Sequence, residues 1–329
     1  MTHLPRRALL ALPALLPGLA AAQAQPTPAQ PAWPNRPLRL IVPFPGGSTP
    51  DLAARLVAAH FTQALGQPCV VDNRAGGGGT IGTEAIARAT DDHTIGVSIG
   101  GPATTARAIN PALGYDPALD LIPISQLVRQ PMVFSVHPSV PARSLAELVA
   151  YARANPGKLN YASVGAGTAG HLAMAEFAAR HGLDMAHIPF RSVPQSVTEL
   201  VAGRVQVMAA VTGAVLPQVR EGTVRALGIS SEARFALAPE IPTLTEQNEG
   251  AAMWTWVGLF APKDIPNARL ARLAAEAGRA LAAPEAKRAL TAAGFDVVGS
   301  GPVEFTTLLG AEIERWVPLI RRLGIRPES

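Results

Sequence analysis

Arg39-Leu40-Ile41-Val42-Pro43-Phe44-Pro45-Gly46-Gly47-Ser48-Thr49-Pro50 is the stretch that decides the fold. A β-branched run stops at a proline and a glycine pair turns the chain. Thr49 then stands where a helix N-cap belongs, with Pro50 at the first helical position, where its missing N–H costs nothing. Ala53, Val57, Phe61 and Leu65 follow at a spacing of four along one helix face, and Gly66 with Pro68 ends the helix. Strand, glycine loop and helix in that order form the repeating unit of an α/β sheet covered by helices.

The unit recurs along the chain. Cys69-Val70-Val71 reads as a second strand, residues 73–79 as a glycine-rich loop before another helix, and 94–99 as a third strand ending in Gly100-Gly101-Pro102. After Pro141 the alternation restarts. Ser144 and Glu147 make a capping box for a helix that ends at Asn155-Pro156-Gly157, and 159–162 is a strand. Thr168 caps a helix closed by Gly182, 186–189 is a strand, Ser192 with Gln195 caps a helix reaching Gly203, and 205–209 and 224–229 are further strands. The last stretch, 267–322, reads as helical, with Leu270, Leu273, Ala277 and Leu281 on one face. The restart predicts two lobes, each a mostly parallel sheet flanked by helices. A length of 329 residues agrees with two domains at roughly 150 residues each.

Composition removes several function classes. With 48% hydrophobic and 16% charged residues the chain is not disordered. Its single cysteine, Cys69, excludes an internal disulfide and a Cys-rich zinc site. His60, His93, His137 and His181 show no H-x-E or H-E-x-x-H pairing, so no metal is expected. Only 5% of residues are aromatic, and Lys and Arg are scattered among Asp and Glu, which speaks against nucleic acid as a partner. The net charge is +4, of which Arg6 and Arg7 supply two.

Those arginines open an export signal. An apolar stretch over 8–21 follows them, and Ala22-Gln23-Ala24 forms a small-residue cleavage site. Residues 1–24 therefore read as a signal peptide, by the Sec or the twin-arginine route, and 25–36 as an unstructured leader rich in Pro. The apolar stretch is shorter than the ~20 residues a bilayer span requires. The mature chain is expected to be exported and soluble.

Three strand-to-helix junctions carry glycine: Gly46-Gly47-Ser48, Gly76-Gly77-Gly78-Gly79 and Gly165-Ala166-Gly167-Thr168. Bare N–H groups and a helix dipole at such junctions favour an anion. Residues 77–82 and 165–170 also match G-x-G-x-x-G. The first lies several residues beyond its strand, and the second is followed by Arg191 where a dinucleotide site needs an acid, so no nucleotide or other cofactor is expected. Ser163 with His171 is the pair a hydrolase would use, but there is no G-x-S-x-G elbow and no acid to orient the histidine. His187, in an apolar strand, reads as a core histidine.

The chain resembles the Bug-type periplasmic receptors of tripartite tricarboxylate transporters. The resemblance runs from Trp33 to Ile325. It rests on Trp33-Pro34-x-Arg36-Pro37, Ile41-Val42-Pro43-Phe44, Asn73-Arg74, Tyr115-Asp116-Pro117, and the run from Pro156 to Ser163 continuing through Gly165, Gly167, Thr168 and His171. His187-Ile188-Pro189-Phe190-Arg191, Pro242-Thr243 and Trp256-Val257-Gly258-Leu259 complete it. It implies a type II, two-lobed Venus-flytrap fold, with lobe one from 37–128 and 256–329, lobe two from 129–255, and a hinge near Gln130 and Thr255. It further implies a monomeric, non-enzymatic receptor in the periplasm that closes over a small organic acid and delivers it to membrane transporter subunits. Carried over residue by residue, the ligand meets Phe44, Gly46, Gly47, Ser48 and Asp51, then Gly100, Gly101 and Thr104, then Ser163, Gly165, Gly167, Thr168, His171 and Arg191. The chain departs from the family at Pro50, where Thr or Ser is usual, at Ser192, where Gly is usual, and at Ala209-Ala210, where Phe-Asp is frequent. The alternatives to a transport receptor are an exported ligand sensor and an exported hydrolase using Ser163 and His171.

Overall fold

The computed structural model describes residues 33–327, so the signal peptide and most of the leader lie outside the described residues. The first half of the chain builds β1 (Leu38–Val42), α1 (Thr49–Leu65), β2 (Cys69–Asn73), α2 (Thr80–Ala87) and β3 (Thr94–Ile99). A π-helical turn over Gly101–Thr105, α3 (Ala106–Ile109) and α4 (Pro117–Asp120) lead into β4 (Leu121–Val136). Then come α5 (Leu145–Ala154), β5 (Leu159–Ser163), α6 (Ala169–His181), β6 (Met185–Pro189), α7 (Val193–Val201), β7 (Val207–Val211), α8 (Thr212–Arg220) and β8 (Arg225–Ile229). The chain closes with β9 (Trp254–Pro262), α9 (Asn267–Ala282), α10 (Pro284–Ala292), β10 (Asp296–Val297) and α11 (Pro302–Leu323).

The strands join in the order β2-β1-β3-β9-β4-β7-β5-β6, with β8 and β10 both on β4. Most of the strands read from alternation pair in parallel, β1 with β2 and β3, and β5 with β6 and β7, but the stretch read at 224–229 forms β8, which runs antiparallel to β4. Between these two groups lie β9 and β4, both antiparallel to their neighbours. β4 belongs to both halves of the sheet. Its first part pairs with β9 as far as Gln130↔Thr255 and Pro131↔Trp254, and from Met132↔Val211 onward it pairs with β7. Pro131 sits at the change of partner, where a residue without an N–H cannot continue a ladder.

Several expectations need correction. Ser48, not Thr49, occupies the N-cap of α1, at φ −70° and ψ 163°, and Thr49 and Pro50 lie within the first turn. Thr168 holds the N-cap position of α6, but its hydroxyl donates to Gly165 O at 2.7 Å instead of capping. The stretch 267–322 is not one helical run, because Gly294 turns the chain at φ +87° and β10 interrupts it. Ser144 and Ser192 cap as their spacing predicts, accepting from the N–H groups of Glu147 and Gln195. The apolar face of α1 is also as read: Ala53, Val57, Phe61 and Leu65 are all buried.

Candidate functional site

A cavity of about 310 Å³ lies where the two halves of the sheet meet. Its floor comes from four neighbouring strands: Ile99 at the end of β3, Thr255 to Val257 of β9, Gln130 and Met132 of β4, and Met208 to Val211 of β7. Its walls are the starts of four helices. Ser48, Thr49 and Pro50 come from α1, Thr168, Ala169 and Gly170 from α6, Ser192, Val193 and Pro194 from α7, and Gly213 and Ala214 from α8. A first helical turn has N–H groups without intrahelical partners and carries the positive end of the helix dipole, so four such ends around one cavity form a field suited to an anion. Among the described residues no Asp, Glu, Lys, Arg or His side chain lines this cavity.

The loop before α1 is held from behind. Asp51 Oδ2 accepts from Gly47 N and from Arg55 Nε, both at 2.8 Å, while Asp51 Oδ1 accepts from Asn73 Nδ2 at 2.9 Å. Burial works to raise the Asp51 carboxyl, but these bonds prevail and hold it below the usual carboxylate range. Asn73 also ties the loop to Phe44 O. Gly47, at φ +80°, needs the left-handed conformation that glycine adopts freely. Ser48 Oγ is buried without a hydrogen-bond partner. A buried hydroxyl left unpaired costs roughly 1–3 kcal/mol, so the atom is poised for a partner the cavity would bring.

The loop before α6 is held the same way. Ser163 Oγ lies 2.6 Å from His187 Nε2 and accepts from Gly165 N at 3.1 Å, and His171 Nδ1 accepts from Gly167 N at 3.0 Å. Ser163 thus meets His187, not His171 as a hydrolase reading required. His187 is only partly buried, and it serves as the clamp of this loop. Burial pulls the His187 pKa down to about 4; burial, and then the neighbouring His187, pull His171 down to about 3. Both imidazoles are neutral at neutral pH, consistent with His171 accepting the Gly167 N–H.

The structure gathers Phe44, Gly47, Ser48, Ser163 and Thr168 at the cavity wall. It places Asp51, Gly165, Gly167 and His171 behind that wall, fastening the two loops. Gly46 lies on the exposed side of its loop. Gly101 packs against Gly167, whose carbonyl oxygen stands 2.6 Å from where a Cβ on Gly101 would be, and Thr104 donates to Gly100 O. Arg191 lines a separate cavity of about 620 Å³ with Gly76 to Gly79, sharing only Phe44, Pro45 and Val164 with the first. Sequence reading missed Gln130, Thr255, Trp256, Gly213 and Ala214 as lining residues. The signal for the last two was present: Val211-Thr212-Gly213 is another strand-to-helix junction with a small residue.

Residues 53–325 match the family model described as the tripartite tricarboxylate transporter family receptor. The chain belongs to this family. Among relatives of the receptor, a Pseudomonas sp. (strain P51) protein described as "UPF0065 protein in tcbD-tcbE intergenic region" is 38% identical over 97% of this chain and 95% of its own length. Protein BugT of Bordetella pertussis is 33% identical over 89% and 91%. Among solved structures, R. palustris Rpa4515 with adipate superposes with a TM-score of 0.83 at 30% identity, covering 90% of this chain and 100% of that one. MatC of Rhodopseudomonas palustris with bound malate gives 0.82 at 31%, covering 88% and 100%, and the periplasmic binding protein BugD gives 0.82 at 28%, covering 90% and 100%. The receptor therefore has the two-lobed α/β fold of periplasmic binding proteins, and its family is one of solute-binding receptors, not enzymes. Among the described residues no helix is long and apolar enough to cross a membrane.

Proposed function

We propose that this receptor works in the periplasm as a monomer, captures a small organic carboxylate and hands it to the membrane subunits of a tripartite tricarboxylate-type transporter. The observation that carries the reading is the convergence of four helix N-termini on one cavity without a charged side chain. Adipate and malate in two structural neighbours support the ligand class. Residues 37–128 with 256–329 form one lobe of this reading and 129–255 the other. The sites at which β4 and β9 pass between them, Gln130 and Thr255, face each other in register and serve as the hinge.

The test is thermal unfolding of the mature protein in the presence of mono-, di- and tricarboxylates. A ligand present at 100 times its Kd stabilises by about 2.7 kcal/mol, enough to raise Tm by several degrees. No shift with any acid at millimolar concentration overturns the reading. Chemical turnover of a ligand that does shift Tm would overturn it as well.

A further inference from the structure

We infer that the ligand is a monocarboxylate whose remaining body is apolar, such as a medium-chain or aromatic acid. This rests on the receptor reading and narrows it. The cavity offers polar groups at its helix-bearing walls, foremost the unpartnered Ser48 Oγ, and a floor that is mostly apolar, from Ile99, Met132, Met208, Ala210 and Val257, interrupted only by the neutral groups of Gln130, Thr255 and Trp256. Helix N-termini and hydroxyls suffice for one carboxylate.

A second carboxylate on the floor would meet no cation. The charged groups near the cavity are already engaged or lie elsewhere. Asp51 is tied to Gly47, Arg55 and Asn73 behind the first loop. Arg191 lines the neighbouring cavity and is not among the residues of this one. Glu312 accepts from Trp316 Nε1 at 3.1 Å and lies outside the lining. An ionised group moved from water onto apolar surface without a partner is strongly penalised, whereas methylenes and rings gain by the same transfer. The volume of about 310 Å³ matches the liquid volume of roughly ten waters, room for a six-carbon chain or a benzene ring.

The test is calorimetric titration of the mature protein with matched acids. Hexanoate and adipate share a six-carbon backbone and differ only in whether the far end is a methyl or a carboxylate; benzoate, malate and citrate complete the set. Hexanoate or benzoate is expected to bind at least tenfold tighter than adipate, malate and citrate. Ser48→Ala is expected to weaken hexanoate about fivefold or more without lowering Tm of the free protein, since no internal bond is lost and an unpaired buried hydroxyl is removed. Adipate, malate or citrate binding as tightly as hexanoate or tighter overturns the inference and leaves the receptor reading standing, and loss of adipate binding in Arg191→Ala would identify the missed cation. Failure of every acid to bind overturns the receptor reading itself.

Discussion

His171 and His187 lie face to face, their ring centroids 3.9 Å apart and their planes 4° from parallel. Through Gly167 N–H and Ser163 Oγ the same two rings hold the loop that walls the cavity, so the charge state of the stack acts on that wall.

Acid is expected to loosen the protein well before the carboxylates of Asp51 and Asp72 protonate. An unfolded chain takes up protons on these histidines as pH falls through 6.5, while the folded chain resists until about 4 for His187 and about 3 for His171. Their contribution to stability is therefore complete above pH 6.5 and is lost as pH falls toward 4, by up to about 1.4 kcal/mol per pH unit for each imidazole. Asp51 and Asp72, both held below the usual carboxylate range, lose their contribution only at lower pH. Urea midpoints between pH 7.5 and 4.5 check this: His187→Gln should show a visibly shallower decline than wild type. Parallel declines would mean that the pair does not govern acid stability.

Two close glycine contacts should govern closure. A Cβ on Gly101 would stand 2.6 Å from Gly167 O, and one on Gly213 would stand 2.2 Å from Ala293 O, both against backbone that cannot rotate away. In the proposed division each contact joins one lobe to the other. Gly101→Ala or Gly213→Ala should therefore hold the lobes apart by an overpacking cost of about 1–3 kcal/mol, which lowers ligand affinity about tenfold or more. Small-angle scattering at saturating ligand should show a larger radius of gyration than wild type, with Tm of the free protein changed little because neither lobe's core is touched. Wild-type affinity in both variants would remove these contacts from the closed state.

What could be read from sequence follows from the kind of interaction involved. The flanking strands and their helices announce themselves through local signals, such as the glycine loop before Thr49 and the capping serines 144 and 192. The central strands did not. β4 carries Pro123 and Pro131 inside a mixed stretch of Ile, Ser, Gln and Arg, and its regularity comes from pairing with Trp254–Pro262 more than a hundred residues away. Ser163 shows the same limit at the site. Its partner is chosen by the parallel register of β5 and β6, which sets Tyr161 opposite His187 and Ser163 opposite Pro189, while His171, nearer in sequence, turns to Gly167. The polar floor residues Gln130 and Thr255 were visible as a crossing of the chain but not as cavity lining, because only the antiparallel register of β4 and β9 brings them side by side.

The absence of an acid at Ala209-Ala210 leads to a test of ligand charge. Both alanines line the cavity and both are buried, so a ligand ammonium near them would be removed from water without an anion to meet it. Desolvation of an unpaired ammonium costs several kcal/mol, and helix N-termini, which present positive ends, make the cost larger. Succinate should therefore bind more tightly than aspartate, the same four-carbon diacid with an added ammonium, by at least tenfold, or about 1.4 kcal/mol. Asp51 is the acid nearest in sequence to the cavity loop, but its carboxylate already accepts from Gly47, Arg55 and Asn73. Asp51→Asn should consequently weaken both ligands in parallel by loosening the loop, leaving their ratio unchanged. Side-by-side calorimetry of the two ligands on both proteins checks each step. Tighter binding of aspartate to the wild type, lost selectively in Asp51→Asn, would show that Asp51 turns into the cavity when ligand arrives and that the inference from Ala210 is wrong.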